Sequence, residues 1–292
     1  MSEKSTFIRY ILAGTLTLTG LLLSAVPAGA AGSDVPKRSG LAPARSGADA
    51  DAVRNFTGNG FDTCQAPDLA TMAAWRAYSD YGAVGIYFGG RARACTSQAH
   101  LNPDWVRRTT ASGWGLLPIY VGSQSPCVSG SNKNPYRIDT ANPAGQGAEE
   151  GMDAVDRARA LGLDPGSALY LDMEAYDTDD AACANATLTY IQAWDQRVGA
   201  AGYLSGFYSS AATGIRQMAE ARDEGAVNLP DVLWYAHWGM SPTLTEEPSL
   251  DASTWNPHAR IHQYQGAVSE SHGGKTLDID RDLVDAPVAV VG

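Results

Sequence analysis

Asp172 and Glu174 stand two residues apart at the end of an apolar run, ALYLDMEAYD at 168–177. On an extended strand, residues i and i+2 face the same side, with Cα atoms ~6.5–7 Å apart. Carboxylates that close repel, so one keeps its proton near neutral pH while the other stays charged. A general acid beside a charged partner is the pair that glycoside hydrolysis uses. A D-x-E is more often a helix cap or a calcium ligand. Here the apolar strand before it, and acids ending other strands, favour the chemistry. Asp177, Asp179 and Asp180 read as loop or helix-start residues.

Such a pair needs a scaffold, and the chain supplies a regular one. Short apolar strands at 60–63, 83–90, 114–122, 168–175 and 203–210 alternate with helical patterns opening near 67, 102, 147, 180 and 214. Five βα units in a row imply a parallel sheet. Further strands at 231–238, 259–266 and 276–284 have no convincing helix between them. Eight strands in roughly 230 residues predict an α/β fold, a TIM-type (β/α)8-like barrel with its last helices missing. The rival, an open doubly wound sheet, lacks a Gly-rich phosphate loop after any strand.

In such a barrel the site forms at the C-terminal ends of the strands. There the sequence places Asp62, Tyr87, Tyr120, Asp172, Glu174 and Tyr208, then Trp234 to Trp238, Gln263 and Gln265, with Asp278 and Asp280 on the last strand. Aromatic residues suit the apolar faces of sugar rings, and Gln and Asp suit the hydroxyls. Tyr87, Tyr120, Tyr208, Trp234, Trp238, Gln263, Gln265 and Asp280 are therefore expected to bind substrate. Trp75, Trp105 and Trp194 fall at helical positions and read as core, and His237 and His262 as packed, hydrogen-bonded side chains.

Residues 1–30 carry Lys4 and Arg9, then an apolar stretch, then Ala28-Gly29-Ala30, the pattern of a cleaved secretory signal peptide. Residues 31–57 are small, polar and aperiodic and read as a flexible lead-in, leaving 58–288 as one barrel domain. Loss of two bases and one acid with the signal moves the formal charge from −11 to −12. That charge argues against nucleic acid and allows a polysaccharide partner. The expectation is a secreted, extracellular monomer without a membrane span after cleavage. The four cysteines, Cys64, Cys95, Cys127 and Cys183, form no C-x-x-C, so disulfides are favoured over zinc, and three pairings are open.

The segments GFDTCQAPDLATMAAW, VGIYFGG, GWGLLPIYVGSQSPC, YLDMEAYD, GFYSS, HQYQG and LDIDRD resemble the secreted bacterial glycoside-hydrolase-like domain numbered 1906 among domains of unknown function. The resemblance covers nearly all of 58–285. More distantly, GFDT, LDME, HQYQG and LDID resemble the motifs of the family 25 glycoside hydrolases, the muramidase-type lysozymes. That likeness implies a barrel of five βα units followed by three strands. It also implies Glu174 as proton donor and Asp172 as the group that orients or stabilises the reacting sugar. Asp62 and one of Asp278 or Asp280 would complete an acidic floor, with no cofactor. In a barrel of this order, neighbouring strands bring Cys64 to Cys95 and Cys127 to Cys183. The leading expectation is a hydrolase acting on cell-wall or related amino-sugar polysaccharide. The alternatives are a non-catalytic glycan-binding barrel and a metal-dependent hydrolase built on Asp62, Asp172, Asp278 and Asp280.

Overall fold

The computed structural model describes residues 53–292. The expected signal peptide and lead-in positions 31–52 lie outside the described residues. Eight strands close a barrel in sequence order: β1 (Arg54–Asp62), β2 (Tyr81–Gly89), β3 (Gly115–Tyr120), β4 (Ala168–Asp172), β5 (Leu204–Ser210), β6 (Val232–Ala236), β7 (Arg260–His272) and β8 (Lys275–Val288). Helices α1 (Leu69–Tyr78), α2 (Pro103–Ala111), α3 (Pro143–Ala160), α4 (Ala181–Ala200) and α5 (Arg216–Asp223) follow the first five strands. Among the described residues no helix separates β6, β7 and β8, so the chain is an α/β barrel of the (β/α)5β3 kind.

Strand parity sorts the core into two shells. Ala83, Leu117, Ile119, Ala168, Tyr170, Trp234 and Ile261 fill the barrel. Leu116, Leu169, Leu171 and Phe207 face outward beneath the helices, where Trp75, Trp105 and Trp194 pack as expected. On β4 this alternation puts Asp172 on the inner side with Ala168 and Tyr170. Helix starts are fixed by side-chain caps. Asp68 accepts from Thr71 N at 2.7 Å, Asn102 from Trp105 N at 3.0 Å, and Asp180 from Ala182 N and Cys183 N.

Two features depart from the sequence reading. The first barrel strand begins at Arg54, within the stretch read as lead-in, because Arg54 to Thr57 pair with Val288 to Asp285 of β8. The last strand also runs antiparallel to both of its neighbours, β7 and β1. Gly273 and Gly274, with φ of 56° and 75°, close a two-residue hairpin turn between β7 and β8. The N-terminal half of β8, carrying Asp278 and Asp280, therefore passes the rim where the other strands end, and Asp282 follows beneath it. Beyond the rim the hairpin folds against α1. There Trp75 Nε1 donates to Lys275 O at 3.0 Å, and His272 meets the Trp75 ring edge-on. The hairpin thus covers apolar surface that a later helix would cover in a fuller barrel.

Candidate active site

A cleft of ≈ 270 Å³ opens at the C-terminal ends of the parallel strands. Asp62, Tyr87, Asp172, Glu174, Asp278 and Asp280 line it together with Lys133 and the Cys64–Cys95 disulfide. Six positions picked from strand ends in the sequence thus share one cavity. Asp62 is the centre of its hydrogen bonding. Its Oδ1 accepts from Tyr87 OH at 2.7 Å, and its Oδ2 accepts from Gln263 Nε2 at 2.8 Å. Gln263 Oε1 in turn accepts from Tyr208 OH and from Trp238 Nε1, both at 2.9 Å. Gly85 on β2 leaves room for this arrangement, since a Cβ there would stand 2.5 Å from Asp62 Cβ.

Burial and mutual repulsion push these acids upward. Asp62 is raised to about 7 by burial and then by the Asp280 charge, with the Tyr87 and Gln263 hydrogen bonds pulling the other way. Asp172 lies well above the usual carboxylate range through burial and the Glu174 charge, opposed by Lys133. Asp280 is raised by burial, against a hydrogen bond from Ala267 N. The Asp172 Oδ1 has no hydrogen-bond partner, although the residue is only 6% exposed. Tyr87 and Tyr208 are held neutral by burial and serve as hydroxyl donors.

The pair of acids is positioned by the β3–α3 loop. Gln124 Nε2 donates to Asp172 O at 2.9 Å, and its Oε1 accepts from Glu174 N at 2.8 Å. The preceding residue is anchored in turn. Glu150 on α3 accepts from Ser123 N at 2.7 Å and from Tyr190 OH at 2.5 Å. Further along the loop, a 3-10 turn at Ser131–Tyr136 presents Lys133, whose Nζ lies 3.5 Å from Glu174 Oε1 and 3.3 Å from Ala92 O. The Cys127–Cys183 disulfide ties this loop to the start of α4. Both disulfides therefore join the cysteines of neighbouring strands as expected.

Several expected positions lie elsewhere. Tyr120 faces α3 rather than the cleft and donates to Asp153 Oδ2 at 2.7 Å. Trp234 is wholly buried one layer beneath the rim, where Nε1 donates to Asp282 Oδ1 at 3.0 Å. Gln265 is turned to the outside by a bulge after Gln263 and pairs with Arg281 Nη1 at 2.7 Å. Asp278 is an exposed edge residue of the cleft, and the buried floor acid on β8 is Asp282. His262 is buried and hydrogen-bonded to Thr243 O and His237 O, and His237 pairs with Glu247 at 2.7 Å.

Gln124, Lys133 and Asp282 were not among the expected site residues. Asp282 continues the period-two series of Asp278 and Asp280, and Lys133 is the only lysine between residues 38 and 274. Gln124 carries no signal of its own.

Among the described residues, no three cleft carboxylates bring their oxygens within 4.8 Å of one another. The residues present thus do not preform a site for a compact metal ion. No helix of the described residues is long and apolar enough to cross a membrane.

A closed α/β barrel with an acidic, aromatic-edged cleft at its strand ends defines a glycoside-hydrolase-like protein. The chain belongs to the family described as Rv2525c-like, glycoside hydrolase-like domain, whose model matches residues 73–284. Several solved structures share the fold. One is an uncharacterized B. stearothermophilus protein, with TM-score 0.51 and 20% identity over 78% of this chain and 95% of that one. Another is the Mycobacterium tuberculosis Tat-secreted protein Rv2525c in complex with L-tartrate, with TM-score 0.53 and 16% identity over 78% of this chain and 96% of that one. No curated protein matches the chain significantly.

Proposed function

We propose that this protein is secreted and binds a cell-wall or related amino-sugar polysaccharide in the cleft, and that it hydrolyses a glycosidic bond there. Glu174 stands at the mouth with its side chain 44% exposed, where it can reach a bridging oxygen, and serves as proton donor. Asp172, buried beside it, holds charge or proton as its partner. Asp62 with Gln263 and Tyr87 forms a hydrogen-bonding floor, and Trp238 offers an exposed ring at the rim. The observation that carries this reading is the meeting of Asp62, Asp172, Glu174 and Asp280 in one cleft. Two disulfides suit an oxidising compartment, in keeping with export.

A second reading is favoured by one contact. Lys133 sits 3.5 Å from Glu174, so the acid is engaged by a cation of the protein itself, which suits a glycan-binding barrel without turnover. Digestion of peptidoglycan, chitin and α-glucans by wild type and Glu174→Gln separates the two. Hydrolysis requires reducing-sugar release by wild type alone, with binding kept in the variant. Binding without release in both leaves the non-catalytic reading, and silence in both tests ends the glycan assignment for those polymers.

A further inference from the structure

The cleft brings together the carboxyl groups of Asp62, Asp172, Glu174, Asp278 and Asp280 against a single ammonium, that of Lys133. Most of these acids have some compensation. Asp62 receives Tyr87 and Gln263, Asp280 receives Ala267 N, and Glu174 has Lys133. Asp172 has only the Lys133 charge nearby, and its Oδ1 is buried without a hydrogen-bond partner at the inner wall of the cleft. A buried carboxyl oxygen without a hydrogen bond is costly unless something in the functional complex supplies a donor or a positive charge. A compact metal ion is a poor candidate because the carboxylate oxygens do not converge. A cation carried on a larger polar body fits better, since a cleft of ≈ 270 Å³ is far larger than a bare ion needs. The fold already seats one ammonium here, with Lys133 Nζ between Glu174 Oε1 and Ala92 O.

We propose that the cleft selects a glycan bearing free, protonated amino groups, a de-N-acetylated amino sugar, with Asp172 and Asp62 as partners of the ammonium. This inference rests on the glycan-binding reading above. The raised acids support it, because a bound cation would offset the mutual repulsion of Asp62, Asp280, Asp172 and Glu174. It also accounts for a cleft whose surplus charge would repel uronates and sialylated chains.

The test is calorimetric titration of the wild-type protein with a glucosamine oligomer, an N-acetylglucosamine oligomer of equal length and a galacturonate oligomer, in low and high salt. The expected result is binding of the glucosamine oligomer about tenfold tighter than the N-acetylated one. That advantage should shrink as salt is added, with no binding of galacturonate. Asp172→Asn should remove most of the difference between the two oligomers. Equal affinity for the glucosamine and N-acetylated oligomers, or preference for galacturonate, overturns the inference and leaves the glycan reading standing. Failure of all three to bind overturns both.

Discussion

Asp62 on β1 and Gln263 on β7, 201 positions apart in the chain, meet at 2.8 Å in the barrel mouth. The same amide accepts from Tyr208 and Trp238, so one side chain couples the acidic floor to the aromatic rim. Gln263→Leu keeps much of the bulk and removes both functions. The loss of hydrogen bonds to a 2% exposed carboxyl predicts destabilisation of about 1–3 kcal/mol, read from urea unfolding. It also predicts an Asp62 that titrates still higher, read from carboxyl carbon chemical shifts. A variant as stable as wild type would show that the amide holds nothing in place.

The cleft acids set a direction for pH. Asp62 is near 3.8 in the unfolded chain and about 7 in the fold, so the folded state binds its proton more tightly. Its contribution to stability is full below the unfolded value and is lost as pH rises through about 7. Asp172 and Asp282 shift the same way through burial first. Asp62→Asn is therefore predicted to gain on wild type as pH is raised from about 5 to about 8, by more than about 1 kcal/mol at the upper end. Paired denaturation curves at several pH values check it. A difference that stays constant or narrows with pH contradicts the assignment.

Much of this site follows from strand parity, and its errors trace to where parity stops informing. Asp62, Asp172 and Glu174 were legible because each follows an apolar run and falls on the inner side of a strand end. Tyr120 shares that end but has the opposite parity to Leu117 and Ile119, which fill the barrel. Counting from those residues would have turned it outward. Trp234 has inward parity, yet depth along the barrel decides whether it lines the cleft or supports it from below. Gln265 keeps the parity of Gln263 in sequence, and the bulge between them breaks the rule. Lys133 and Gln124 reach the acids from a loop whose path depends on a disulfide to a distant helix, which no local pattern encodes.

Tyr120 and Trp238 should separate cleanly on mutation. Tyr120 OH reaches Asp153 on α3, away from the cleft, so Tyr120→Phe should lower stability by about 1 kcal/mol and leave oligosaccharide affinity unchanged. Trp238 is 57% exposed at the rim and its Nε1 donates to Gln263 Oε1, so Trp238→Ala should lower stability by no more than about 1 kcal/mol. It should cost about tenfold in glycan affinity through the lost aromatic face. Titration and thermal melts on both variants check the pair. The reverse pattern would move the binding surface off the rim.

The two disulfides should differ in what their removal does. The enclosed segments span 31 residues for Cys64–Cys95 and 56 for Cys127–Cys183. Loop-closure entropy then predicts a loss of about 4 kcal/mol for either, with the longer loop costing about half a kcal/mol more. The Cys127–Cys183 bond also anchors the loop that brings Gln124 and Lys133 to the Asp172–Glu174 segment. Replacing both of these cysteines by serine should therefore raise hydrogen exchange across 123–138, beyond the rise that general destabilisation gives elsewhere. Gln124 would then hold the Glu174 amide less firmly, and ligand affinity should fall in parallel. If exchange in that loop rises no more than in α5, on the other side of β5, the disulfide contributes stability alone and the loop keeps its own shape.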